Sequence, residues 1–138
     1  MTPEELYDAW VSGITGIVGR DETTTTQLNQ YGEALMPGFY RGAFARGDEP
    51  PPDGTRHFLI VNGMTGPPGD HWHGIYREPG KPDLVYDSFG RGTRGFRGRG
   101  TERAAEQKKT GADRDSCGQG CLAFGLVAQL MGQDAQKI

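Results

Sequence analysis

The sequence predicts an α+β domain in which a small, mostly antiparallel sheet packs on a central buried helix. Three observations predict it. The chain opens with an apolar stripe at helical spacing, Leu6, Trp10, Ile14 and Ile17. Residues 57–88 hold short runs rich in β-branched and aromatic side chains, separated by turn residues. Near the end, the apolar run 122–131 follows a capping pattern at Ser116 and Gln119. At 138 residues the chain suits one domain, 1–138, with one hydrophobic core.

Each element has its own local reason. Thr2-Pro3-Glu4-Glu5 starts a helix that fills residues 1–20: a capping residue, proline in the first turn, then acids against the positive end of the macrodipole. Residues 21–26 are polar and read as a loop, and a short helix over 27–35 must end at Pro37-Gly38. Residues 39–53 are rich in turn formers and predict no regular element, with a stiff Pro50-Pro51-Pro52 connector at their end. Residues 56–62, with Phe58-Leu59-Ile60-Val61, form the clearest buried strand. Residues 71–76 and 83–87 make two more strands, an antiparallel hairpin turning at 77–81. Residues 91–100 are an Arg/Gly-rich loop, and 101–109 predict a short polar helix.

Bulk composition narrows the function classes. With 23 glycines and 9 prolines against 34% apolar residues, the core must be economical and the connections irregular. A net charge of −3 gives no overall case for binding nucleic acid or a membrane surface. No apolar run reaches the length of a membrane span, and the N-terminus lacks the sections of a signal peptide. The two cysteines sit four residues apart on one predicted helix, a poor disulfide pair, so a reducing compartment is expected. A monomer that is not secreted by a signal peptide follows as the expectation.

The chemistry converges on Cys117. If Ser116 caps the helix, the thiol lies in the first turn, where the macrodipole favours thiolate. A hairpin centred on Pro79 puts His71 directly opposite Asp87, on the same face of the sheet. The carboxylate then orients the imidazole and supports the imidazolium, and a helix start presented against that face completes a nucleophile, base and orienter. The Cys117 N–H is one natural oxyanion donor and the Gln107 side chain a candidate second. His73 shares the strand face of His71 and suits a groove-lining place. Cys121, one turn below Cys117, suits packing. Zinc held by His71, His73, Cys117 and Cys121 is the competing arrangement, but it leaves the capping box and Asp87 without a purpose. Hence no metal and no cofactor are expected.

The string Leu59-Ile60-Val61-Asn62, then His71-Trp72, Asp87-x-Phe89-Gly90 and Cys117-Gly118-x-x-Cys121 resembles the adenovirus-type processing cysteine proteases, the adenain family. The same order recurs in the related SUMO-specific, Ulp-type proteases. The similarity spans about residues 25–131, with a weaker match over 37–42. It implies Cys117 as nucleophile, His71 as general base and acid, Asp87 as orienting third member and Trp72 along the substrate groove. It further implies polypeptide substrates cut at glycine-containing sites, structural precursors of a virus or virus-like particle, and a place in the virion or the host cytoplasm or nucleus. The family's oxyanion glutamine falls six or seven residues before the cysteine, where this chain has Thr110 and Gly111, so Gln107 takes that part only with an insertion of three residues. A SUMO- or ubiquitin-like isopeptidase is the alternative within the same class.

A different class of function rests on the basic run. Arg91, Arg94, Arg97 and Arg99 surround Phe96, a composition suited to phosphate contacts and base stacking. It predicts a nucleic-acid partner, or, without any peptidase activity, a capsid-associated nucleic-acid-binding module.

Overall fold

The computed structural model describes residues 1–62, 71–87, 100–102 and 117–138. Helix α1, Pro3–Val18, begins with a full capping box: Thr2 Oγ1 accepts from the Glu5 N–H at 3.1 Å and Glu5 Oε1 from the Thr2 N–H at 2.9 Å. It ends at Gly19, whose φ of +93° suits a residue without Cβ. The buried stripe is Tyr7 and Ile14, with Trp10, Val11 and Val18 packed beside them, while Ile17 is 72% exposed. Ile17 therefore corrects the expected stripe, which is rotated toward Tyr7. Helix α2, Thr25–Leu35, has a second capping box between Thr24 and Gln27.

Among the described residues the sheet has five strands: β1 Tyr40–Ala45, β2 His57–Asn62, β3 Trp72–Arg77, β4 Asp83–Tyr86 and β5 Gly100–Glu102, adjacent in that order. The β2–β3 and β3–β4 pairs are antiparallel and both edge pairs, β1–β2 and β4–β5, are parallel. The sheet is thus mixed, and the antiparallel expectation holds for its centre alone. Strand β1 is a further correction, lying where no regular element was expected. Its apolar residues are interrupted by Gly42 at φ +130°, and its pairing slips between Tyr40 and Ala43, so no alternation is visible in sequence. At the other edge, Thr101 and Glu102 belong to β5, not to the start of a helix; the rest of that predicted helix, 103–109, lies outside the described residues.

Alternation assigns the sheet's two faces. Phe58, Ile60, Tyr76, Leu84 and Tyr86 join the main core with α1, α2 and the last helix, α3, Cys117–Met131. Leu59, Val61 and Ile75 form a second cluster with Phe44 on the other face. Every α3 residue from Cys117 to Ala128 is buried, so α3 is the central helix the sequence predicts. Leu130 is 69% exposed and marks where that burial ends. Gly74 and Gly125 allow the close approach: a Cβ at either would press on the Phe58 ring, at 2.9 and 2.6 Å. A 3-10 helix, Gly132–Lys137, closes the chain. No helix is long and apolar enough to cross a membrane among the described residues.

Candidate active site

Two anchors set the direction of α3 relative to the sheet. At its C-terminal end, Arg56 donates to the carbonyls of Ala128 and Gln129, both at 3.1 Å, and through Nε to the Tyr76 hydroxyl at 2.8 Å. A cation on the last carbonyls is the favourable partner for that end of the macrodipole. Because Arg56 holds α3 to the Tyr76 end of β3, the helix start lies toward the other end, at Trp72. There the Cys117 thiol takes a hydrogen bond from the Trp72 backbone N–H.

The hairpin brings His71 and Asp87 together, by a register different from the one expected. Gly74 pairs with Tyr86 and Tyr76 with Leu84, so one further step places His73 opposite Asp87 and His71 on the diagonal. The turn explains the shift: Gly80, at φ +77°, makes the reversal after Pro79, and the Lys81 N–H closes on the Glu78 carbonyl at 3.1 Å. The register moves by two residues, which keeps all three side chains on one face, where a shift of one would have separated them; that face is the one Val61 shares with His73, turned away from α3, and this corrects the expectation that the helix start is presented against it.

Asp87 is fully buried between the two rings. Its Oδ1 lies 2.7 Å from His71 Nε2 and its Oδ2 lies 3.5 Å from His73 Nε2. The rings meet edge to face, centroids 4.9 Å apart. An ionised carboxylate only accepts, so His71 Nε2 donates to Asp87, and in the neutral ring Nδ1 is the acceptor nitrogen. His73, expected along a groove, is instead fully buried beside Asp87, which corrects that placement. Trp72 is half-buried, with its indole N–H donated to the Thr23 carbonyl at 3.1 Å.

Cys117 is 7% exposed, and this corrects the expected resting thiolate. Burial is the largest influence and pushes the thiol above its ordinary value. The N–H groups of Trp72, Gly118 and Cys117 itself act in the opposite direction without overcoming it, and the Glu22 charge adds to the rise. The resting group is a thiol that needs a base. Cys121 is fully buried and raised further, by desolvation first and then by Cys117 and Asp87.

The connector between α1 and α2 belongs to this site, and sequence reasoning missed it. Gln119 is fully buried and donates through Nε2 to the Gly19 carbonyl at 2.8 Å and the Asp21 carbonyl at 3.0 Å. The expected capping box uses the other amide atom, Oε1, toward Ser116, which lies outside the described residues. Thr23 is buried against Gly118, where any Cβ would collide with its hydroxyl. A glycine directly after the thiol was visible in sequence, but its partner, ninety-five residues earlier, was not. Gln107 and Arg91, Arg94, Arg97 and Arg99 lie outside the described residues.

One ligand atom from each of His71, His73 and Asp87 fall within 4.8 Å of one another, and neither cysteine belongs to this trio. The four-residue zinc set weighed from the sequence is therefore not the one assembled. Comparison with known proteins finds no family model that matches the chain and no curated protein that matches it.

Proposed function

We propose that this chain is a thiol-dependent endopeptidase with Cys117 as nucleophile, His71 as base and acid, and Asp87 as orienter. The observation that carries the reading is the buried His71 Nε2 to Asp87 Oδ1 bond of 2.7 Å. A carboxylate fixed on Nε2 leaves Nδ1 to take the thiol proton, which a thiol raised by burial requires. In the proposed reaction the thiolate adds to the peptide carbonyl. The N–H groups of the first turn of α3 have no intrahelical acceptor and face the oxyanion; Gln107 is the proposed second donor. Imidazolium then protonates the leaving amine, and the neutral ring activates the water that hydrolyses the thioester.

The resemblance to adenovirus-type processing proteases adds glycine-containing cleavage sites in structural precursor proteins as the proposed substrates, with SUMO- or ubiquitin-like conjugates second. A nucleic-acid partner for Arg91, Arg94, Arg97 and Arg99 stays a proposal from composition alone. The decisive measurement is labelling by a glycine-containing peptide carrying a thiol-reactive electrophile, together with cleavage of the parent peptides. Wild-type Cys117 should label, Cys117→Ala should neither label nor cleave, and His71→Ala should label at least about a hundredfold more slowly. Equal labelling of wild type and His71→Ala overturns the reading.

A further inference from the structure

We propose that His71, His73 and Asp87 form a Zn2+ site, and that its occupation switches off the proposed thiol chemistry. Only the second half rests on the peptidase reading; the metal site stands on the trio itself. Two imidazole nitrogens and one carboxylate, all from the β3–β4 hairpin and its ends, converge within 4.8 Å in a buried setting. Two histidines and one carboxylate are a recurrent zinc donor set, with water completing the tetrahedron. The two nitrogen donors disfavour Mg2+ and Ca2+, which take oxygen ligands.

The distances fit once the site closes, because the two histidines now meet different oxygens of Asp87 and the trio's ligand atoms spread over as much as 4.8 Å. Tetrahedral zinc with bonds of about 2.0–2.1 Å holds its ligand atoms roughly 3.3–3.5 Å apart. His73 Nε2 and Asp87 Oδ2 are already 3.5 Å apart. His71 Nε2 and Asp87 Oδ1, at 2.7 Å, have to open by about 0.6–0.8 Å as the metal replaces the proton between them. A divalent ion also suits the charge, since it is held by one buried carboxylate and two neutral rings.

The consequence for the thiol follows from tautomers. A neutral imidazole that binds zinc through Nε2 carries its one proton on Nδ1. His71 then presents a donor where the reaction needs an acceptor and cannot take the Cys117 proton. Zinc removes the base without touching the nucleophile. The proposal also gives His73, which the catalytic scheme leaves idle, a task.

The test uses the full chain without an affinity tag, titrated calorimetrically with Zn2+ and analysed for metal after dialysis. We expect one Zn2+ per chain, unchanged affinity in Cys117→Ala, and affinity at least about tenfold weaker in His73→Gln. Zinc should also slow Cys117 alkylation by iodoacetamide in wild type, reversibly with chelator. Unchanged zinc affinity in His73→Gln, or its loss in Cys117→Ala, overturns the site. Should His73→Gln not fold, Co2+-loaded wild type decides: a thiolate-to-cobalt charge-transfer band would mean that the metal sits on a cysteine and the trio is not its site. A chain that binds zinc through His73 yet never cleaves peptide would sink the peptidase reading and leave the metal site standing.

Discussion

Cys117 is held between opposing influences, and burial wins. The helix start and the Trp72 N–H favour thiolate, but desolvation and the Glu22 carboxylate favour the thiol. Its alkylation by iodoacetamide should therefore keep accelerating as pH rises past about 8.5, the ordinary cysteine value, with no plateau near neutrality. Replacing Glu22 by Gln removes a negative charge that disfavours thiolate, so the midpoint of that profile should move down. Glu22 is exposed, so the shift should be small and shrink with added salt. A midpoint that stays put or rises in Glu22→Gln contradicts this electrostatic account. The pairing of His71 with Asp87 was legible in sequence because strand parity survives a register error of two residues. The thiol's protonation state was not legible, because it depends on burial and on Glu22, which no spacing within 115–121 encodes.

At the scale of elements, Gln119 ties the start of α3 to the α1–α2 connector. Both hydrogens of its amide nitrogen are used, on the Gly19 and Asp21 carbonyls at 2.8 and 3.0 Å, and Trp72 holds the Thr23 carbonyl of the same connector. Gln119→Ala should cost about 1–3 kcal/mol in urea unfolding, since it removes two hydrogen bonds in a buried setting. The loosened connector should also expose Cys117, so alkylation at fixed pH should speed up in this variant. Lost stability with an unchanged alkylation rate would mean the connector does not cover the thiol. Helix α1 was legible from its Thr2-Pro3-Glu4-Glu5 start and α2 from its Pro37-Gly38 stop, while the capping box at Thr24 and Gln27 went unread. Strand β1 was illegible because Gly42 and the slipped pairing break its alternation, and the tie from Gln119 to the connector was illegible because it joins residues far apart in sequence.

For the whole molecule, a chain poor in apolar residues folds by burying one helix almost completely, and that helix carries both cysteines. Folding therefore takes two thiols out of water and raises both, Cys121 the more strongly. Such a group stays protonated in the native state at a pH where the unfolded chain has begun to lose its proton. Above about pH 8.5 the unfolded state binds fewer protons, so stability must fall as pH rises, by up to about 1.4 kcal/mol per pH unit for each thiol. The contribution is fully present below the unfolded pKa and is lost as pH climbs toward the native one. Urea unfolding from pH 7 to about 9.5 should show a flat region and then a decline, the window ending below about 10, where unfolded tyrosines and lysines begin to titrate. Cys121→Ala should be less stable at neutral pH, because it leaves a small cavity, yet decline less steeply. Equal slopes in the two proteins would mean that Cys121 is not the buried proton reservoir of α3, and the desolvation assigned to this central helix would have to be revised.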